Sequence, residues 1–327
     1  MTKKTKSFAS ILALCAVLLV LGLCFGINLT LMMSRILIMT LLAYSLNIQV
    51  GYAGLGNLGH SLYFGLGSYG ILICVARAGL PLWLAVVISL VGCTVLALVL
   101  GYLMLQTEGL LSFLFLSFGL CLLIRTLFAK WKFVGNTGGI SFPVRPQWMI
   151  SYKVVYVIIF IVVVLSIYLI YKLSKSPFIA MVEGSRENEE RLRFLGVNIE
   201  RLRLVTYVIS SFFGIIAGIL YAIMNNGAYI TSVDTSMAMT ALLMCLIGGS
   251  MSFWGPFVGA IIVTFITNFL PTLTSAYNII FGIIIVLTCY FIPNGVTDPN
   301  GFFMKLFNRI RNWIIVKISP KNKGVSA

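Results

Sequence analysis

The sequence predicts an all-α polytopic membrane protein, a single transmembrane domain over residues 1–327 with about ten spans, some of them interrupted by glycine. Three observations predict it. Hydrophobic residues make up 60% of the chain and charged residues 9%, with a mean hydropathy of +1.05, a balance that excludes a water-soluble globular protein. Apolar runs of about 20 residues, the length that crosses about 30 Å of hydrocarbon, recur from end to end. The basic residues gather in three regions, Lys3 to Lys6, Lys172 to Arg203 and Lys305 to Lys323, and an even number of crossings puts all three on the cytoplasmic side.

The candidate spans are 8–27, 31–50, 61–78, 81–104, 109–129, 153–173, 204–225, 237–249, 257–271 and 275–292. The first follows a basic start but is too long for a cleaved signal core and has no small-residue cleavage site after it, so it reads as a retained span. The eighth and ninth are short. Tails 1–7 and 293–327 and the polar loop 174–203 are assigned to the cytoplasm, whereas Lys130, Lys132, Arg145 and Lys153 fall outside. The net charge of +15 is then a topology signal and an attraction to anionic membrane lipid, with no nucleic acid required. All seven cysteines lie within predicted spans without metal-type spacing and read as packing residues.

Residues 51–70 hold seven glycines between two apolar runs, and a second cluster, Gly248, Gly249, Gly255 and Gly259, separates the two short spans. Within a bilayer a broken helix is tolerated only against protein or a water-filled cavity. Short, glycine-interrupted segments in both halves of a chain point to a transport site. Asn47, Gly51, Gly54, Asn57, Gly59, His60, Ser61, Gly248, Gly249 and Gly255 are therefore candidate pathway residues. Close packing of helices through small residues is the alternative, and Gly65 to Gly70 fits it. Intramembrane ionisable groups reduce to His60, Arg35 and Arg125, the arginines near enough to span ends to snorkel. A wall so poor in charge suits a neutral or zwitterionic solute with an apolar body. His60 reads either as a gate or substrate donor, or as a packing histidine satisfied by a nearby carbonyl.

Lys172 to Arg203 is the one long polar stretch, with five of the chain's eight acids. Ser185 is placed to cap a short surface helix with Glu187 in its first turn, Arg191 and Arg193 near its end, and Gly196 as its stop. Leu192, Phe194, Leu195 and Val197 give that helix an apolar edge for a partner or for the protein's own helix ends, a solvated loop without a partner being the alternative. Catalytic constellations such as H-E-x-x-H or paired intramembrane acids are missing, which argues against an intramembrane enzyme. The sequence has no G-x-x-x-x-G-K-[ST] phosphate loop, so ATP-driven work would belong to another subunit.

The ordered motifs resemble the permeases of branched-chain amino acid ABC importers, most closely the M type of the permease pair. Ser45-Leu46-Asn47, Gly51-Tyr52-Ala53-Gly54 and Leu58-Gly59-His60 are similar to the family's early run. Gly109 to Ser117 and Gly135 to Ile140 resemble its middle helix and external loop. Arg186-Glu187-Asn188-Glu189 and Leu195-Gly196-Val197-Asn198 resemble the coupling segment, and Gly248-Gly249, Trp254-Gly255-Pro256 and Gly259-Ala260 the late glycine motif. Pro293-Asn294-Gly295 resembles the family's Pro-Arg-Gly ending, with Asn where Arg is usual. The resemblance implies a multi-pass protein of the bacterial inner membrane, paired with a second homologous permease, two cytoplasmic ATPase subunits and an external substrate-binding protein. It implies that ATP and Mg are held by the ATPase subunits and no cofactor by this chain. Arg186, Glu187, Asn188, Glu189, Arg191, Leu195 and Gly196 would carry the coupling. Leucine, isoleucine and valine lead as solutes; urea or short amides, whose permeases share these motifs, are the alternative, and a passive channel is a weaker one.

Overall fold

The computed structural model describes residues 26–107, 109–143, 146–250, 252–273, 279, 282, 283, 295 and 297. All eight predicted spans within these residues are helices; spans 8–27 and 275–292 lie almost wholly outside them, as do the tail 1–7 and nearly all of 293–327. Five helices are long and apolar enough to cross a bilayer: α1 (Ile27–Asn47, prolonged by a π-turn Ile48–Tyr52), α3 (Leu82–Leu105), α4 (Leu110–Lys130), α6 (Tyr152–Ser174) and α9 (Ile199–Asn225). Three shorter apolar helices join them: α2 (Ser61–Leu72, with a π-turn Ile73–Arg77), α10 (Thr235–Gly248) and α11 (Gly255–Leu273). Between α4 and α6 lies one further turn of helix, α5 (Gln147–Ile150); two surface helices, α7 (Pro177–Glu187) and α8 (Glu189–Phe194), join α6 to α9.

The centre of the fold is α1 against α2 and α9. In α1 and α9 the most apolar windows are 72% buried, against 17% in α4, whose outer face carries Leu111, Phe115, Leu123 and Leu127. An interior helix must satisfy its polar side chains locally, and α1 does so by back-bonding: Ser34 to the Thr30 carbonyl at 2.9 Å, Thr40 to Ile36 at 2.7 Å. The helices approach closely where glycine leaves room. A methyl group at Gly218 would lie 1.9 Å from the Phe64 carbonyl oxygen, and one at Gly67 2.3 Å from that of Ile215, so α2 and α9 meet backbone to backbone. The described cysteines behave as packing residues; Cys245 donates to the Ala43 carbonyl at 3.2 Å.

The ends of the elements define two faces. On one, the loop after α4 forms successive 3₁₀ turns and a strand, β1 (Ile140–Ser141), antiparallel to β2 (Gly227–Ala228) after α9. Arg77 at the end of α2 donates to the Phe133 carbonyl on this face at 3.1 Å. On the other face, the end of α1, the polar segment α7–α8 and the turn between α10 and α11 come together. Among the described residues the small ribbon is the one departure from an all-helical reading.

Candidate functional site

The break after α1 is built around one amide. The π-turn ends at Tyr52; the chain then leaves the helix at Ala53, reverses through the left-handed Gly54, runs irregularly to Asn57 and turns at 58–60 into α2, whose first amides are taken up by turn carbonyls: Leu62 to Gly59 at 2.9 Å and Tyr63 to His60 at 3.1 Å. Asn57 holds this non-helical stretch together. Its Nδ2 donates to Gln49 Oε1 at 2.8 Å, its Oδ1 accepts the Gly59 amide at 2.8 Å, and Leu55 donates to the Gln49 carbonyl at 3.0 Å. This meets the requirement that backbone freed from a helix inside a membrane find partners in protein.

His60 is fully enclosed. Its Nε2 sits 2.8 Å from the Ser45 hydroxyl, which donates to the Leu42 carbonyl, while Ser210 of α9 donates to the Ser45 carbonyl at 2.6 Å. The partner is thus a hydroxyl and not the carbonyl expected, and the imidazole ties the break to α1. Ser61 touches Cys121 of α4 at 3.3 Å, and Gly59 is pressed so closely on α4 that a methyl group there would lie 2.1 Å from the Ser117 carbonyl oxygen. Asn47, Gly51, Asn57, Gly59, His60 and Ser61 are therefore buried within this chain. Gly54, Gly56 and Leu58 are partly exposed and form the open side of this non-helical stretch.

The two glycine clusters meet. Gly51 faces the Ser250 carbonyl, where a methyl group would lie 2.4 Å away, and also the Asn47 amide, whose Oδ1 has no hydrogen-bond partner among the described residues. Gly248 and Gly255 close the α10–α11 turn on each other, a methyl group at Gly248 falling 1.8 Å from the Gly255 carbonyl oxygen. Thr297 donates through its hydroxyl to the Gly248 carbonyl at 2.6 Å, and Gly249 packs against Gly295. Phe253 of the same turn lies between Tyr44 of α1 and Tyr171 of α6, ring centroids 5.2 and 5.1 Å away. This turn is a close-packed joint.

The polar segment folds differently from its expected form. Ser185 caps nothing: it lies inside α7, its hydroxyl bonded back to the Val182 carbonyl at 2.7 Å. The caps are Ser176 for α7, Asn188 for α8 and Asn198 for α9; the last two accept the Arg191 and Arg201 amides at 3.0 Å. Glu187 thus ends α7, and the helix breaks at Asn188 into two pieces. Gly196 does end α8, in the left-handed region at φ +82°. Glu189 pairs with Arg203 at the start of α9. Phe194 and Leu195 stand 89% and 78% exposed at the tip, an apolar pair with no cover among the described residues.

Arg186 joins the two regions. Its guanidinium donates to the Gly51 carbonyl, and its stem lies along Gly54, which has φ +68° and whose Cβ, if it had one, would stand 2.9 Å from Arg186 Cγ. The break in α1 and the surface helix are therefore one mechanical unit.

Both arginines named from the sequence have partners. Arg35 is bonded to Asn268 of α11 at 3.0 Å, and Arg125 forms an ion pair with Asp234 at 3.3 Å. Asp234, the N-cap of α10, was missed because it falls between predicted spans; the Asp-Thr-Ser start of an apolar run was its available signal.

The profile of the family described as "Branched-chain amino acid transport system / permease component" matches residues 28–289. Among curated proteins the chain is similar to the high-affinity branched-chain amino acid transport system permease protein LivM of Escherichia coli (strain K12), 24% identical over 83% of this chain and 70% of that one. The same figures hold for LivM of Salmonella typhimurium. A probable LivM of Methanocaldococcus jannaschii is 24% identical over 78% of this chain and 89% of its own length. No solved structure matches the chain. With most of its length matched by that profile, and with apolar helices that span a membrane, the chain belongs to the permease components of branched-chain amino acid transport systems.

Proposed function

We propose that this permease subunit forms, with a second homologous permease, the route by which leucine, isoleucine and valine cross the inner membrane. Two cytoplasmic ATPase subunits bind and hydrolyse ATP with Mg, and an external binding protein delivers the solute. The loop 174–203 faces the cytoplasm, and Arg186, Glu187, Asn188, Glu189, Arg191, Leu195 and Gly196 are its coupling residues.

The observation that carries this reading is the Arg186 bond to Gly51. The exposed Phe194–Leu195 tip offers an apolar hold for a partner, Glu189 and Arg203 bind α8 to α9, and Arg186 leads from α7 to the broken end of α1. A displacement of the tip therefore reaches both central helices. The charged part of the segment contributes little affinity by itself, since exposed ion pairs are worth about 0–1 kcal/mol.

Reconstitution of the chain with its second permease, ATPase subunits and binding protein in vesicles tests the proposal. Uptake of labelled leucine is expected only with hydrolysable nucleotide on the side of α7–α8. Uptake without nucleotide, or with the ATPases bound to the β1–β2 face, refutes it.

A further inference from the structure

We propose that the flank of α4 bearing Leu114, Phe118 and Arg125, together with the open edge Gly54–Gly56–Leu58 and Asp234, is a water-facing wall of the translocation route, with the Arg125–Asp234 pair its station for a zwitterion. This deepens the transport reading above and rests on it.

The residues share one line. Leu114 and Arg125 are separated by three helical turns and differ by about 20° around the α4 axis, roughly 16 Å apart along it. Leu114 borders Gly56; the adjoining buried stripe, Phe113, Ser117 and Cys121, seals α4 against the break, and Cys121 donates to the Val233 carbonyl beside Asp234 at 3.2 Å. The seam thus runs from the end of α1 to the start of α10 along one edge of α4.

Neither end of that seam suits lipid. The backbone N–H groups of Gly56 and Leu58 have no hydrogen-bond partner among the described residues, although both residues are partly exposed. Arg186 of the surface helix α7 lies along Gly54, so this edge opens toward the α7–α8 face, and open, non-helical backbone in a membrane protein is tolerated only against protein or beside water. At the other end the Arg125 and Asp234 side chains are 41% and 30% exposed. Arginine can snorkel, but aspartate cannot reach far. With 14 residues, α10 spans about 21 Å, less than the hydrocarbon thickness of about 30 Å, which leaves its N-cap below the far boundary. A partly exposed ion pair there marks a solute path.

The chemistry of the wall defines what it takes. A guanidinium and a carboxylate side by side complement the carboxylate and ammonium of an amino acid, and Leu114, Phe118 and Leu58 offer an apolar surface to an aliphatic side chain. A neutral amide uses neither charge.

Single cysteines at Leu58 and Phe118, in the assembled transporter in vesicles, are treated with a membrane-impermeant methanethiosulfonate. Cysteines at Leu116 and Leu123, exposed on the side of α4 turned away from the seam, serve as controls. Leu58→Cys and Phe118→Cys are expected to react at least about tenfold faster than the controls, and leucine to slow them, because the thiolate is the reactive species and forms only in water. Equal or slower labelling overturns the wall. The swap Arg125→Asp with Asp234→Arg keeps an ion pair but reverses its order; the complex is expected to assemble with leucine uptake reduced about tenfold, about 1.4 kcal/mol of lost recognition. Full uptake in the swap reduces the pair to a strut and overturns the station. Nucleotide-driven uptake by the unsubstituted complex in the same vesicles separates either failure from failure of the transport reading.

Discussion

Replacing Arg186 by alanine removes its bond to the Gly51 carbonyl and its stem along Gly54, and both effects can be worked out. The guanidinium donates to the Gly51 carbonyl at the end of the π-turn. A hydrogen bond from a charged donor is worth about 1.5–3 kcal/mol, and because Arg186 lies on an accessible surface the lower figure applies. That amount, about 1.4 kcal/mol for each factor of ten, shifts the equilibrium between coupled and uncoupled arrangements roughly tenfold. Arg186→Ala is therefore expected to leave the complex assembled while the nucleotide hydrolysed per leucine imported rises about tenfold. Arg186→Lys recovers part of the loss, because a single ammonium lacks the planar fork. Gly54 supplies the internal control. Gly54→Ala strains a left-handed backbone at about 1–2 kcal/mol and drives a methyl group into the Arg186 stem. The steric part vanishes in the double variant, so the two substitutions should be less than additive. The assay is paired measurement of phosphate release and leucine uptake in vesicles. An unchanged ratio in Arg186→Ala refutes the link.

Three other outcomes follow from the geometry. Phe194→Asp with Leu195→Asp alters only exposed side chains, so the permease keeps its thermal midpoint in detergent while co-purification of the ATPase subunits falls; retention of those subunits would place their hold elsewhere. Gly59→Ala forces a methyl group against the Ser117 carbonyl and is expected to cost about 1–3 kcal/mol, read as a lowered midpoint of thermal unfolding. His60→Phe removes the bond to the Ser45 hydroxyl, which keeps its own bond to the Leu42 carbonyl, and should cost about 0.5–1.5 kcal/mol of stability with little change in the KM for leucine, a gating imidazole being the reading that a large KM change would restore.

The spans were legible because lipid imposes one rule on long segments: about 20 apolar residues with their backbone satisfied internally. Even the short ones, α10 and α11, start within two residues of their expected positions. Local polar chemistry was less legible. Ser185 and Asn188 both suit an N-cap, and the choice depends on where α7 ends; inside a helix a serine simply bonds back to the preceding turn, as Ser185 does to Val182. The β1–β2 ribbon pairs residues 140–141 with 227–228, two short stretches with no alternating pattern to read. Nor can glycine content say which glycine faces which. Gly51 against Ser250 and Gly54 against Arg186 are long-range contacts that only the folded chain specifies.

Those contacts explain why the break is held so tightly on one side and left open on the other. Asn57, Gln49, His60 and Ser45 satisfy the inner side of the non-helical stretch, fixing it to α1 and α9. Gly56 and Leu58 on its outer side are partly exposed, and Arg186 is bonded to Gly51 of the π-turn just before it. A segment with a rigid back and an accessible handle transmits displacement instead of absorbing it. If the handle moves by even a fraction of a helical turn, the edge at Gly56 must slide along Leu114, because Gly59 is locked on the Ser117 carbonyl and cannot follow. Small shifts at a surface become discrete rearrangements inside a close-packed interior, since packed interfaces are bistable and do not deform smoothly. A displacement of the exposed Phe194–Leu195 tip is thus expected to move the Gly56–Leu114 end of the seam, the end that Arg186 reaches.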